Sequence, residues 1–280
     1  MEMSDSMNIG FRHHKVHEIE YLTVPAFEET GLVTHCFTTR LGGVSTGEYR
    51  SLNLGLWKND HRENVIQNYK LISGILNINY TKFVFSRQVH GDNIGVVTAQ
   101  DAGKGFLNGG LNGFDGFITN QPGIPLATFH ADCVPLFFLD PVKKAVALAH
   151  SGWRGTVKKI AQKTIHKMVT EYDCNIKNLL VAIGPSIGKC HFEVDKPVVD
   201  QFLLSYGSAA ERFTEKRHNG KYHIDLWEAN IMQLQEFGIE ENNITLANEC
   251  TVCNKQKYFS HRGDAGETGS LAAIIELKKK

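Results

Sequence analysis

Residues 125–155 read PLATFHADCVPLFFLDPVKKAVALAHSGWRG, two apolar runs rich in branched and aromatic side chains on either side of Asp140-Pro141. Apolar runs of this length bounded by turn residues are strands rather than helices. Asp-Pro initiates a turn, so the segment predicts an antiparallel hairpin. A connection centred between Pro141 and Val142 sets Leu139 opposite Lys144, Phe137 opposite Val146, and Cys133 directly opposite His150. Opposed Cβ atoms in such a pair lie about 4.5–5.5 Å apart, close enough for one thiolate and one imidazole to hold the same ion. That donor pair suits zinc. A slip of one residue would send the two side chains to opposite faces, so the register carries the inference.

The flanking residues extend the site. Ser151 to Gly155 reads as a strand-to-helix turn opening onto a helix at Thr156, whose first N–H groups and positive dipole favour an anion. Arg154 adds a planar cation at the same place. Residues 86–92, SRQVHGD, put His90 where the strand from Phe83 ends, as the candidate third ligand. Three protein ligands leave one coordination position open, the pattern of a catalytic zinc. Taken singly, a histidine at a strand end is more often a packed residue and a cysteine more often a small core side chain. Convergence is what raises these three above that background.

Strand-like runs cover Leu32–Thr38, Phe83–Val89, Gly95–Ala99, Gly116–Thr119, Pro125–His130, Leu179–Gly184 and Ile244–Asn248, besides the hairpin strands Val134–Leu139 and Ala145–His150. Helical periodicity covers Arg62–Leu76, with Asp60 as the expected N-cap, and Thr156–Tyr172. A helix is expected behind Asp225, stopped by Gly238, and another behind Asp195 with Pro197 in its first turn. The sum is mixed α and β with much antiparallel pairing rather than strict βαβ alternation. No repeat or Pro/Ser linker divides the chain, so residues 1–280 are expected to form one domain, with 1–20 peripheral and Gly103–Gly116 a long loop.

Lys+Arg and Asp+Glu balance at 30 each, which removes the broad basic field of a general nucleic-acid or membrane binder. No apolar run approaches the roughly 18 residues of a membrane span, and MEMSDSMNIG lacks the order of a secretory signal, so a cytoplasmic protein is expected. The six cysteines are then expected reduced. Cys250 and Cys253 resemble half of a zinc knuckle or a redox pair, but no second CxxC or histidine pair at ligand spacing accompanies them, so they are read as structural thiols. His13, His14 and His17 are read as a solvated N-terminal segment, and Lys278–Lys280 as a solvated tail.

Seven motifs in order carry a resemblance: Arg40-Leu-Gly-Gly-Val-Ser45, Ser51-Leu-Asn-Leu-Gly55, Gln88-Val-His-Gly-Asp92, His130-Ala-Asp-Cys133, His150-Ser-Gly-Trp-Arg-Gly155, Ile183-Gly-Pro-Ser-Ile-Gly188 and Phe259-Ser-His-Arg262. Together they resemble the YfiH-like laccase-domain family, also called polyphenol oxidases or purine nucleoside phosphorylases, from about Gly31 to Ile275. The resemblance implies a single-domain α+β fold, a mixed β-sandwich flanked by helices, and places the family's zinc set on His90, Cys133 and His150. It implies phosphorolysis of adenosine, inosine, guanosine or methylthioadenosine, with deamination of adenosine; the partners are then a nucleoside and phosphate. Cys133, Asp132 and Arg154 are the candidate catalytic residues, and Arg40, Ser45, Asn53 and Arg262 the candidate substrate and phosphate contacts. The closing motif departs from the family's Arg-Arg-Asp and Thr-Gly-Arg, reading Arg262-Gly-Asp264 and Thr268-Gly-Ser270.

Three other readings stand beside this one. An amide hydrolase editing peptidoglycan precursors would use Cys133 as nucleophile and His150 as base. A non-catalytic metal- or partner-binding domain would keep only the scaffold. A copper-dependent polyphenol oxidase is chemically strained, because a multicopper site needs paired histidines and the chain has no His-x-His, although copper binding in vitro fits the affinity order.

Overall fold

The strand pair of residues 134–151 lies at the centre of the structure because both of its faces are buried, and each face meets a different layer. In this computed structural model, which describes residues 8–106 and 111–279, Val134–Asp140 and Ala145–Ser151 are interior members of a seven-stranded sheet. Its order is 8–9, 244–246, 180–183, 134–140, 145–151, 116–119, 94–96. A five-stranded sheet of order 12–16, 19–23, 33–38, 271–277, 126–130 lies against it. Odd positions Phe137 and Leu139, with Val146 and Leu148 opposite, pack on Leu126, Leu271, Ala273 and Ile275 of the second sheet. Even positions Leu136 and Phe138 turn outward to Ile160, Ile165 and Met168 of the Ile160–Tyr172 helix. On the far side of the second sheet, Ala127, Ala272 and Ile274 meet Val65, Tyr69 and Ile72 of the Arg62–Leu76 helix. The result is the expected α+β sandwich flanked by helices, and the layering explains why its central strands read as unbroken apolar runs.

The hairpin register differs from the expected one by two residues. Leu139 pairs with Val146 and Pro135 with His150. The cause is the Asp140 carboxylate, whose Oδ1 accepts the N–H groups of Val142 and Lys143 at 2.9 Å each. That cap closes a four-residue turn of Pro141 to Lys144, with Lys144 left-handed at φ 52°, and keeps Asp140 within the ladder opposite Ala145. Cys133 therefore stands diagonally beyond His150 rather than facing it. A shift of two keeps every side chain on its face.

Asp60 is not the N-cap of the Arg62–Leu76 helix; His61 holds that place. The expected Thr156 helix is two pieces, Trp153–Val157 and Ile160–Tyr172, broken at Lys159 with φ 59°. Asp225 caps Leu226–Glu236 through the N–H groups of Trp227 and Glu228, as its position predicts. Two strands carry no alternation to reveal them. Arg12–Val16 is a polar edge strand that holds His13 and His14 in the ladder with Ile19–Thr23. Leu271–Leu277, LAAIIEL, is buried on both faces, and an apolar run with two alanines does not distinguish strand from helix. Of the segment expected as a loop at Gly103–Gly116, Leu111–Asn112 pairs with Ser86–Arg87, while 107–110 lie outside the described residues. So do residues 1–7 and Lys280. No described helix is long and apolar enough to cross a membrane.

Ile274 is fully buried in an interior strand of the five-stranded sheet. Ile274→Ala is expected to lower unfolding free energy by about 2–5 kcal/mol in urea denaturation. Leu204→Ser, at a side chain 83% exposed, is expected to change it by less than about 0.5 kcal/mol.

Candidate metal centre

The parity of the hairpin brings His150 and Cys133 to the same face, at the end of the strand pair where the cavity opens. His150 continues the face of Val146 and Leu148, and Cys133 that of Leu139 and Phe137. Pro135, opposite His150, costs no ladder bond on that side, because the His150 N–H turns the other way to the Asp115 carbonyl at 2.7 Å. His90 arrives from the loop after Ser86–Arg87. One donor atom from each of His90, Cys133 and His150 lies within 4.8 Å of the others, and the two imidazole rings stand edge to face with centroids 4.8 Å apart.

Asp115, entering the Gly116–Thr119 strand and fully buried, fixes this geometry. Its Oδ1 accepts His150 Nδ1 and the His90 N–H, both at 2.9 Å. Its Oδ2 accepts the Gly91 N–H at 2.7 Å and the Val89 N–H at 3.2 Å. Three successive amides converge on one carboxylate because His90 is left-handed, at φ 56°, an unusual conformation for a residue with a side chain. With Nδ1 given to Asp115, His150 keeps Nε2 for an ion, the orienting arrangement of histidine ligands. Burial would raise the Asp115 carboxyl, but the hydrogen bond and charge of His150 and the amides hold it below the ordinary range.

Burial would also raise the Cys133 thiol, yet the neighbouring imidazoles of His150 and His90 bring it down to about 6. Burial would lower His150, and the Cys133 thiolate together with Asp115 raise it to about 9. Cys133 is thus a thiolate at neutral pH, the form that binds metal. The adjoining backbone leaves room for an ion: a Cβ on Gly152 would lie 3.0 Å from Cys133 Sγ and 3.2 Å from His90 Cδ2. His130 is not a fourth ligand. Its Nε2 pairs with Thr128 Oγ1 at 2.9 Å and its Nδ1 with the Cys133 carbonyl at 3.1 Å. Soft and borderline donors in a set of three, with an open side, fit a catalytic zinc.

The open side faces a cavity of about 790 Å³. Lys58, Arg87, Arg154 and Arg262 line it as cations, and Phe129, Trp153 and Phe192 give it aromatic walls. Arg154 lies over the Trp153 ring at 4.3 Å. Arg262 reaches the carbonyls of His191 at 2.8 Å and Glu193 at 3.2 Å. Asp132 also lines the cavity, left-handed at φ 88°, but its carboxylate is occupied. Oδ1 accepts Thr251 Oγ1 and Ser260 Oγ, and Oδ2 accepts the Arg262 N–H, all at 2.6 Å. It holds the 251–262 loops against the Cys133 turn.

Three expected contacts are not brought to the cavity. Ser45 and Asn53 are buried and hydrogen-bond to Asp60 Oδ2 at 2.6 and 2.8 Å, with Asn68 bridging them. Asn53 Oδ1 accepts the N–H groups of Gly55 and Ser270. Arg40 bonds the carbonyls of Arg50 and Lys255, pairs with Asp264 at 3.6 Å and stacks on Phe259 at 4.4 Å. These polar groups are consumed in tying loops together. Asp115, by contrast, is a site residue that local pattern does not single out; its one signal is an acidic residue directly ahead of an apolar strand. Cys250 and Cys253 are not isolated thiols, since Cys190 and His191 lie beside them.

Residues 34–278 match the family described as multi-copper polyphenol oxidoreductase laccase. The chain is 35% identical over 245 residues to the purine nucleoside phosphorylase YlmD of Bacillus subtilis, covering 87% of this chain and 88% of the relative. It is 31% identical to the purine nucleoside phosphorylase LACC1 of Mus musculus, covering 94% of this chain and 59% of that protein. The crystal structure of YfiH from Bacillus licheniformis superposes with a TM-score of 0.90 at 34% identity, covering 96% of this chain and 99% of that one.

Asp115→Asn is expected to weaken zinc binding about 10–100-fold, read by competition with a chromophoric chelator. In metal-free protein, the thiolate absorbance lost in Cys133→Ser is expected to titrate near pH 6, disappearing as pH falls through that value. Titration at the ordinary thiol value would remove the thiolate–imidazolium pair.

Proposed function

This chain belongs to the laccase-domain family matched across residues 34–278, and from that premise we propose that it is a cytoplasmic, zinc-dependent purine nucleoside phosphorylase. Its substrates are adenosine, inosine, guanosine and methylthioadenosine, and it also deaminates adenosine. The observation that carries the reading is the convergence, in one cavity, of a His-Cys-His donor set with a rim of arginines and aromatic walls. A zinc ion bound there supplies a Lewis acid that polarises an oxygen and lowers the pKa of water.

The chain's own groups divide the remaining work. Arg154 and Arg262, with Lys58 and Arg87, offset the charge of phosphate. The faces of Trp153 and Phe192 offer a purine stacking partners. Asp115 keeps His150 in one tautomer and orientation. Phosphorolysis then forms a bond from a phosphate oxygen to the anomeric carbon of the ribose as the bond to the purine breaks, and the base leaves with that electron pair. Asp132 acts by position, because its oxygens are already spent.

The lowered Cys133 thiol beside a protonated His150 favours one alternative, the amide hydrolase with Cys133 as nucleophile. Metal content separates the two readings, since a thiolate held by zinc cannot form an acyl intermediate. On metal-quantified protein, a nucleoside panel followed by chromatography is expected to release free base only when phosphate is present. Base release indifferent to phosphate, or none with stoichiometric zinc, would overturn the phosphorylase. His90→Ala, Cys133→Ala and His150→Ala are each expected to abolish zinc retention at this site and turnover while the protein still unfolds cooperatively.

A further inference from the structure

Outside that cavity, Cys190, His191, Cys250 and Cys253 bring one donor atom each within 4.8 Å of one another. They come from two segments about sixty positions apart, and none has a catalytic role in the reading above. We propose that these four residues bind a second zinc ion in a closed, structural Cys₃His centre. The inference does not depend on the phosphorylase assignment.

The distances carry it. Zn–S bonds of about 2.3 Å and a Zn–N bond of about 2.0–2.1 Å in a tetrahedron place sulfurs about 3.8 Å apart and sulfur and nitrogen about 3.6 Å apart. Cys190 and Cys253 Sγ are 3.6 Å apart. His191 Nδ1 is 3.5 Å from Cys253 Sγ, 3.7 Å from Cys250 Sγ and 3.2 Å from Cys190 Sγ. All of these cysteines are free thiols. Three thiols and an imidazole at the corners of one tetrahedron gain little from each other, whereas an ion at its centre satisfies all four and displaces three protons.

The surroundings fit a thiolate centre. The Gly188 N–H donates to Cys250 Sγ at 3.3 Å, the kind of outer contact that steadies a metal-bound sulfur. A Cβ on Gly188 would stand 3.2 Å from Cys250 Cβ and 3.3 Å from Cys190 Sγ, so glycine lets the two loops close. Beyond the donors, Ser186 pairs with Cys250 across a parallel bridge, and Arg262 grips the His191 carbonyl from the cavity side. An ion here would staple the 186–194 loop to the 249–262 loops and so fix the wall that carries Phe192 and Arg262. Unlike the His90 set, it has four protein ligands and no open position, which makes it structural rather than catalytic.

The test is zinc content per chain of reduced, purified protein, with X-ray absorption at the zinc edge of His150→Ala, which keeps only this centre. Wild type is expected to hold two zinc ions, His150→Ala and Cys253→Ser one each, and the double variant none. The His150→Ala spectrum is expected to show three sulfurs and one nitrogen. Combined with His150→Ala, His191→Cys is expected to keep the ion with four sulfurs, which guards against a Cys253 variant that fails to fold. Zinc lost from His150→Ala but kept in Cys253→Ser, a shell with a single sulfur, or a Cys190–Cys253 disulfide in freshly purified protein would overturn the centre. Zinc kept in His150→Ala and lost from Cys253→Ser, with wild type holding only one, would instead support it and count against the catalytic His90 set.

Discussion

A single buried carboxylate organises the candidate catalytic end of this protein. Asp115 takes four hydrogen bonds, three from successive amides at Val89, His90 and Gly91 and one from His150 Nδ1. A buried charge persists only when its lone pairs are met, and here meeting them shapes the site. The amides can converge only if the chain turns left-handed at His90, and that turn carries the His90 imidazole toward Cys133. The fourth bond selects the His150 nitrogen left for an ion. The carboxylate thus couples a loop to a strand, and both to the thiolate whose acidity their imidazoles increase.

The sandwich supplies the place for this carboxylate to act. Two sheets pack through a continuous apolar layer, and each is covered by helices on its outer face. Polar chemistry is pushed to where the apolar layer ends, at the rim between the sheets. There the parity of the hairpin delivers His150 and Cys133 to one side, and Gly152 provides space that any larger residue would fill. The cavity is lined by strand ends, helix ends and loops, and the loops nearby are held by polar residues used as ties: Asp132 on the 251–262 side, and Asp60 with Ser45, Asn53 and Asn68 near the Arg62–Leu76 helix. The Cys₃His cluster would extend the same principle, replacing hydrogen bonds with metal bonds where two loops meet at the surface.

Much of the secondary structure was legible because periodicity and turn chemistry are local. The Arg62–Leu76 and Lys196–Tyr206 helices and the strands at Gly116–Thr119, Val134–Asp140 and Ala145–Ser151 lie where residue pattern predicts them. The strands at Arg12–Val16 and Leu271–Leu277 were not legible, one too polar and one too uniformly apolar to show a period of two. The hairpin register slipped by two because a side-chain cap, not the central dipeptide, chose the turn. Face was conserved through that slip, so the inferred pairing of Cys133 with His150 reached the right neighbourhood by an inexact route.

The sequence by itself determined which residue types could serve a metal, and a seven-motif resemblance assigned them to His90, Cys133 and His150. Residue pattern also determined mixed helices and strands with much antiparallel pairing, since periodicity and turn residues are local, while the layered sandwich was implied by the resemblance. Only the tertiary structure decided which polar residues would be free to act. Asp115 emerged as the organiser, Arg40, Ser45 and Asn53 as scaffold, and Cys190 and His191 as partners of Cys250 and Cys253. The reason is physical: a hydrogen-bond acceptor or a ligand is defined by neighbours tens or hundreds of positions away, and no local pattern records whether its lone pairs have already been taken.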